Sequence, residues 1–146
     1  MFKKVIALST AAMILLTPMS ASAVSWGEVV GGLKTKGSYT DGKMTATKDG
    51  DTYTFTGGEL EGHVAVNPFM FGANGKFYFN GVQFESMGIY ADGSNYYVVL
   101  DKDTAGGFVL VNAEENGKIE LVNAGTIDNG GYTGLALLGN SHITNK

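Results

Sequence analysis

The chain has 146 residues with 14 acidic and 10 basic side chains, every basic one a lysine, together with 22 glycines, two prolines and no cysteine. Lacking arginine, it has none of the bidentate phosphate and base contacts on which nucleic-acid recognition leans, and its acidic balance disfavours anionic membrane surfaces too. Without cysteine there is no disulfide framework and no lipid-modified cysteine anchor, so an exported domain of this size must be held by its core.

Residues 1–23, MFKKVIALSTAAMILLTPMSASA, run from Lys3 and Lys4 through an apolar stretch over 5–16 to Pro18 and a small-x-small end at Ala21, Ser22 and Ala23. That is the layout of a secretory signal, and the apolar stretch is too short to span a bilayer. Cleavage after Ala23 leaves residues 24–146 as a single domain. Loss of Lys3 and Lys4 leaves 8 lysines against 14 acidic residues, a net charge of −6. The protein is expected outside the bacterial cytoplasm: at the cell surface, extracellular or periplasmic.

The first element expected is a short capping helix, SWGEVVGGL. Ser25 and Glu28 have capping-box spacing, and Trp26, Val29, Val30 and Leu33 recur at i, i+3, i+4 and i+7 to form one apolar face. Gly27, Gly31 and Gly32 each cost about 1 kcal/mol relative to Ala in a helix, so it must be held by packing over one end of a β core.

Beyond the helix the chain reads as all-β: short runs rich in Thr, Val, Tyr and Phe, separated by Asp-Gly and Asn-Gly pairs at 41–42, 49–50, 74–75, 80–81, 92–93, 116–117 and 129–130. Folding residues 43–56 about Asp49-Gly50 sets Ala46 against Tyr53 and Met44 against Phe55 on one face and threonines on the other. A further fold at Gly57-Gly58 sets Leu60 against Phe55. Folding residues 69–84 about Ala73 to Gly75, then at Asn80-Gly81, gathers Phe69, Phe71, Phe77, Phe79, Val82 and Phe84 on one face. The expected architecture is therefore an antiparallel hairpin or meander sheet with an N-terminal capping helix. The Leu-Val-Asn-Ala sequence at 110–113 and again at 121–124 fits the same scheme, as two strands meeting around a bulged turn at Glu115 to Gly117.

Toward the end the pattern changes. Gly-Thr-Ile-Asp-Asn at 125–129 and Ser-His-Ile-Thr-Asn at 141–145 repeat x-x-Ile-x-Asn in one direction, as parallel β-solenoid coils do. The sheet would then continue as a β-solenoid; the alternative is a right-handed parallel β-helix throughout. These residues, LVNAGTIDNGG and GNSHITNK, resemble the Gly-x-Ile-x-Asn coils in passenger regions of bacterial autotransporters and related β-helical surface proteins. The resemblance is confined to the C-terminal third of the expected domain and implies a secreted or surface-displayed adhesin-like or structural protein. The sequence departs from that family in carrying no translocator barrel and no C-terminal aromatic after the coils, so by this resemblance it is expected to be a short stand-alone or truncated piece.

Residues that could carry chemistry are few. Asp101, Asp103 and Gly106 match positions 1, 3 and 6 of a calcium loop, but Ala105 and Asn112 stand at positions 5 and 12, so the two aspartates are weak metal candidates. His63 and His142 have no Cys or second His nearby, and neither sits in a nucleophile motif. The acidic pairs Asp49 with Asp51 and Glu114 with Glu115 lie at expected turns. Tyr78, Tyr90, Tyr96 and Tyr97, beside Asn and Gly, are the candidates for stacking on a small ligand or sugar ring. The sequence thus points to a non-catalytic structural or adhesive envelope protein, without catalytic residues or cofactor. Its expected partner is a protein or glycan surface, or a second copy met through an exposed sheet edge or coil end. The alternative is a small-ligand or carbohydrate-binding β-barrel or sandwich.

Overall fold

A computed structural model describes residues 23–146; the expected export segment, residues 1–23, lies outside the described residues save for Ala23. In chain order the elements are β1 (Val24–Ser25), α1 (Trp26–Lys36), β2 (Ser38–Asp41), β3 (Met44–Asp49), β4 (Thr52–Thr56), β5 (Glu59–Val66), α2 (Pro68–Phe71), β6 (Asn74–Asn80), β7 (Gln83–Asp92), β8 (Asn95–Leu100), β9 (Ala105–Glu114), β10 (Lys118–Asn123), β11 (Thr126–Ile127), β12 (Leu135–Gly139) and β13 (Ser141–Asn145). They form two sheets. The first runs β11-β9-β7-β5-β1, with β12 beside β11 on the far edge of β9; the second runs β13-β10-β8-β6-β4-β3-β2. All pairings are parallel except β2 with β3 and β3 with β4.

From β4 onward the chain winds as a two-sheet solenoid: a strand in the second sheet, a corner, a strand in the first, then back one rung higher. Tyr53, Phe77, Val98, Leu121 and Ile143 stack in register as one inward column, each a single coil beyond the last. Facing them across the core are the columns Val64, Met87, Val109, Leu135 and Val66, Ile89, Val111, Leu137. The corners are tight. At Gly57-Gly58 both residues are left-handed, at φ +72° and +77°, and pressed on Lys43 and Met44: a Cβ on Gly57 would stand 2.6 Å from the Lys43 carbonyl oxygen.

Side-chain volume falls along the axis. Near the first coils lies an aromatic cluster, in which Phe55 stacks on Phe79 (centroids 4.7 Å apart), Tyr53 on Phe77 (5.0 Å), and Trp26 packs against Phe55 (5.2 Å). Later coils are filled by Val, Leu and Ile. Helix α1 closes the first end by burying Trp26, Val29, Val30 and Leu33, as its spacing predicts, and the Trp26 indole N–H donates to the Ala65 carbonyl at 2.9 Å. The helix runs to Lys36 and stops at left-handed Gly37, whose N–H returns to the Leu33 carbonyl. Ser25 is the N-cap, but its side chain makes no capping hydrogen bond, so packing rather than a capping box holds this end.

The all-β class, the capping helix and the solenoid stand; the extent of antiparallel pairing does not. The hairpin at Asp49-Gly50 forms, turning on Gly50 and Asp51, so that Ala46 faces Phe55 and Lys48 faces Tyr53. Register is fixed from the other side, where Tyr53 and Phe55 stack on Phe77 and Phe79 of the next coil; the shift preserves which residues point inward. Leu60 does not face Phe55, because Gly57-Gly58 carries the chain across to the opposite sheet. The expected fold-back over 69–84 is replaced by α2, a single turn capped by the Asn67 side chain accepting from the Met70 N–H at 2.9 Å, with Pro68 at its start. Within that turn Phe71 is buried but Phe69 is 90% exposed, so Phe69 leaves the expected core. The two Leu-Val-Asn-Ala segments are neither a hairpin nor stacked coils: one ends β9 in the first sheet, the other ends β10 in the second. Ile127 and Ile143 likewise fall in opposite sheets, so the interval between them is not the coil period.

Candidate functional site

Parallel in-register coils place side chains one coil apart directly above one another, about 4.8 Å per rung, so the outer faces carry ladders. On the second sheet one outer ladder is Thr52, Lys76, Tyr97, Glu120 and His142, and beside it runs Thr54, Tyr78, Val99, Val122 and Thr144. Tyr78 and Tyr97 meet edge to face at 6.3 Å. Next to Tyr97, where the strands of this sheet begin, lies an open groove of about 480 Å³, lined among others by Asn74, Lys76, Asn95, Tyr97, Lys118 and Glu120. The Asn95 amide donates to the Asn74 side-chain oxygen at 3.4 Å, continuing the ladder.

The four candidate tyrosines therefore part company. Tyr78 and Tyr97 share the outer face of the second sheet. Tyr96, the next residue along the strand, points inward: it is buried, its hydroxyl donates to the Gly72 carbonyl, and burial pushes its pKa up to about 12. Tyr90 lies on the outer face of the first sheet, folded over Gly88, with its hydroxyl 3.4 Å from His63 Nε2. His63 Nδ1 faces the Ser86 hydroxyl at 2.8 Å. Each ring nitrogen thus meets a hydroxyl. A Ser-His contact resembles the first half of a nucleophile pair, but the group on the far nitrogen is a phenol where a triad has a carboxylate. His142 is exposed at the far end of the Lys76–Tyr97 ladder.

Asp101 and Asp103 are directed to different partners. Asp101 Oδ1 accepts from the N–H groups of Gly81 and Asp103 and from the Thr104 hydroxyl, each at 3.0 Å. The same hydroxyl also lies 2.8 Å from the Phe79 carbonyl, which receives the Asp101 N–H as well, so its single proton is shared between that carbonyl and the carboxylate; its oxygen accepts from Val82 N–H at 3.1 Å. The result staples the corner of one coil to that of the next. Asp103 is 65% exposed and pairs with Lys102 at 3.0 Å. Among the described residues no three His, Cys, Asp or Glu side chains gather as metal ligands.

Burial opposes ionisation of Asp101, but the hydrogen bonds from Gly81, Thr104 and Asp103 outweigh it and hold the carboxyl below the usual carboxylate range. A depressed folded pKa contributes stability that is fully present above the unfolded value, about 3.9, and is lost as pH falls through the folded value. Asp101→Asn is accordingly expected to lower thermal stability at pH 7 and to flatten the acid limb of a Tm-against-pH curve below about pH 4. An unchanged acid limb would refute the staple.

The sequence singled out Tyr97 but missed the groove around it. Asn74, Asn95 and Lys118 belong to three successive strands of the second sheet and stand opposite one another in register, so only the coil period brings them together. Together the fold and its ladders define a parallel two-sheet β-solenoid of about four turns. No family model, curated protein or solved structure matches the chain.

Proposed function

We propose that this is an exported, non-catalytic protein of the bacterial cell surface or extracellular space, structural or adhesive in role. The observation that carries the reading is the pair of outer ladders on the second sheet, a flat, repetitive surface of Tyr, Val, Thr, Lys and Glu presented by a rigid stack. Solenoids engage partners through such extended faces. Residues 1–23 supply the export part of the reading, and the likeness of the last coils to autotransporter passengers agrees with it. In the producing cell, the chain is expected outside the cytoplasm with Val24 as its N-terminus by mass spectrometry. Retention of residues 1–23 on a cytoplasmic product would defeat the proposal.

A second reading, carbohydrate binding, is favoured by one feature: the groove beside Tyr97 offers a ring face flanked by amide and ammonium donors and a carboxylate. That combination suits a saccharide stacked on tyrosine and hydrogen-bonded at its edge. Its rung spacing is close to the length of one sugar unit, so an extended glycan laid along the axis would meet a new rung per residue. On a glycan array, Tyr97→Ala is expected to weaken any hit at least about tenfold, as loss of one stacked ring does, with Tyr90→Ala without effect. Equal loss in both variants would discard this reading.

A further inference from the structure

The two ends of the solenoid are built differently. At the first, α1 lies over the coil and the second sheet ends in β2, which carries Asp41. At the other, no described strand lies beyond β12 or β13, so each presents a row of backbone N–H and C=O groups with no strand partner. Inward-facing Leu137 is 41% exposed, its outward neighbour Leu138 is 51% exposed, and Ile127, Leu135 and Ile143 are only partly buried. Natural sheet edges are usually guarded by charge. Here β12 reads LALLG and β13 reads SHITN, and over residues 122–146 the formally charged side chains are Asp128 and Lys146, neither of them within β12 or β13.

We infer that this end is a docking surface for a second copy of the same chain, joined tail to tail about a two-fold axis normal to the sheets. That rotation reverses strand direction while keeping each sheet in its plane, so β13 extends the second sheet antiparallel to the β13 of the second copy. Ile143 then faces Ile143, His142 faces Thr144 and Ser141 faces Asn145, with no like charges opposed. The same operation brings β12 to β12. The chain's net negative charge opposes self-association in general, and this face, which carries little charge, adds little to that repulsion.

Area is consistent with a weak but specific dimer. Strands of five residues at about 3.3 Å each, in two sheets about 10 Å apart with their outward side chains, give an end of about 500 Å² per copy and about 1,000 Å² in all, the lower bound for a specific interface. The helix decides the symmetry. Because α1 lies over the other end and the strand edge left there, β2, is exposed and carries Asp41, head-to-tail stacking would set apolar, uncharged edges against a helix and a charged edge, so the assembly closes at two and does not grow into a fibre. Of the outer ladders only the last members, His142 and Thr144, enter this contact, so its failure would leave the adhesive reading, which rests on the ladders as a whole, untouched.

The test is the molar mass of residues 24–146 by light scattering at about 200 µM, well above the micromolar range expected for so small an interface. A dimer is expected, and Ile143→Lys and Leu137→Lys are each expected to raise its Kd at least about hundredfold, the effect of facing like charges. Circular dichroism separates lost pairing from lost folding. Should either variant misfold, Ile143→Cys in this cysteine-free chain is expected to form an intermolecular disulfide under mild oxidation, while Thr45→Cys on the outer face of β3 does not. A monomer at that concentration, a ladder of higher oligomers, a dimer that survives both lysine variants with their fold intact, or no preference for cross-linking at position 143 would each overturn the inference.

Discussion

A chain lacking residues 24–36 is expected to lose cooperative folding altogether. Helix α1 covers the first coil with Trp26, Val29, Val30 and Leu33, all buried. At about 1.5–3 kcal/mol for each apolar side chain withdrawn from water, the four contribute about 6–12 kcal/mol, comparable with the net stability of a whole domain. The loss goes further than area. Trp26 packs on Phe55, Phe71 and Phe79 at 5.2, 6.0 and 6.4 Å, so its removal leaves those rings facing water. The expected signature is a broad, non-cooperative melt with dye-accessible apolar surface. A sharp melt within a few degrees of that of the parent chain would show that the β coils stand without their plug.

A second large effect comes from the second rung of the column below that plug. Phe77→Ala should cost about 3–5 kcal/mol and lower Tm by roughly 10–20 °C for a domain of this size. Phe77 is fully buried and in ring contact with Tyr53, Phe71 and Tyr96 at 5.0, 4.9 and 5.3 Å, and the stacked coils above and below cannot close the void without losing register. Ile143→Ala, further along the same column, is expected to cost under about 1 kcal/mol in the monomer, because Ile143 is only partly buried and, among the described residues, no strand pairs with the outer edge of β13. The pair of variants therefore measures a gradient along the axis: stability in a quasi-one-dimensional stack belongs to neighbouring coils and falls toward an open end. Equal costs at the two positions would contradict it.

How far this fold could be read from the sequence turned on which signals were local. The apolar face of α1 was legible because helical spacing is a short-range pattern, and the Asp49-Gly50 hairpin because its partners are adjacent. Buried Phe77, Phe79, Val82 and Phe84 were legible too, since strand alternation fixes which residues point inward whatever the partner strand. The partner itself was not legible. Testing a fold-back about Gly57-Gly58 or about Ala73 to Gly75 asks only whether inward residues meet inward residues, and a coil that passes to the opposite wall satisfies that as well as a hairpin does. The distinguishing signal was long-range: the column Tyr53, Phe77, Val98, Leu121 and Ile143 recurs once per coil at a slightly uneven interval, with a different side chain at each step, so no repeated word marks the period. The words that do repeat, Leu-Val-Asn-Ala and x-x-Ile-x-Asn, fall on opposite walls. Phe69 departs from its expected place for a nearer reason, since Asn67-Pro68 starts a helical turn in place of an extended run. For the candidate site the same limit applied: alternation alone separates Tyr96 from Tyr97, whereas the groove needed the coil period.

The order of the pairings bears on how the molecule comes into being. Beyond the initial hairpin, every strand of the second sheet rests on one laid down about one coil earlier in the chain. A polypeptide delivered N-terminus first, whether from a ribosome or through a translocation pore, would thus form its hairpin early, and its plug would close once Phe55, Ala65, Phe71 and Phe79 had followed. Each newcomer would find a ready template. Growth of this kind is vectorial: once the plug has closed on the first coils, an interrupted chain leaves a shorter copy of the same body, and assembly waits on no distant segment still to be made.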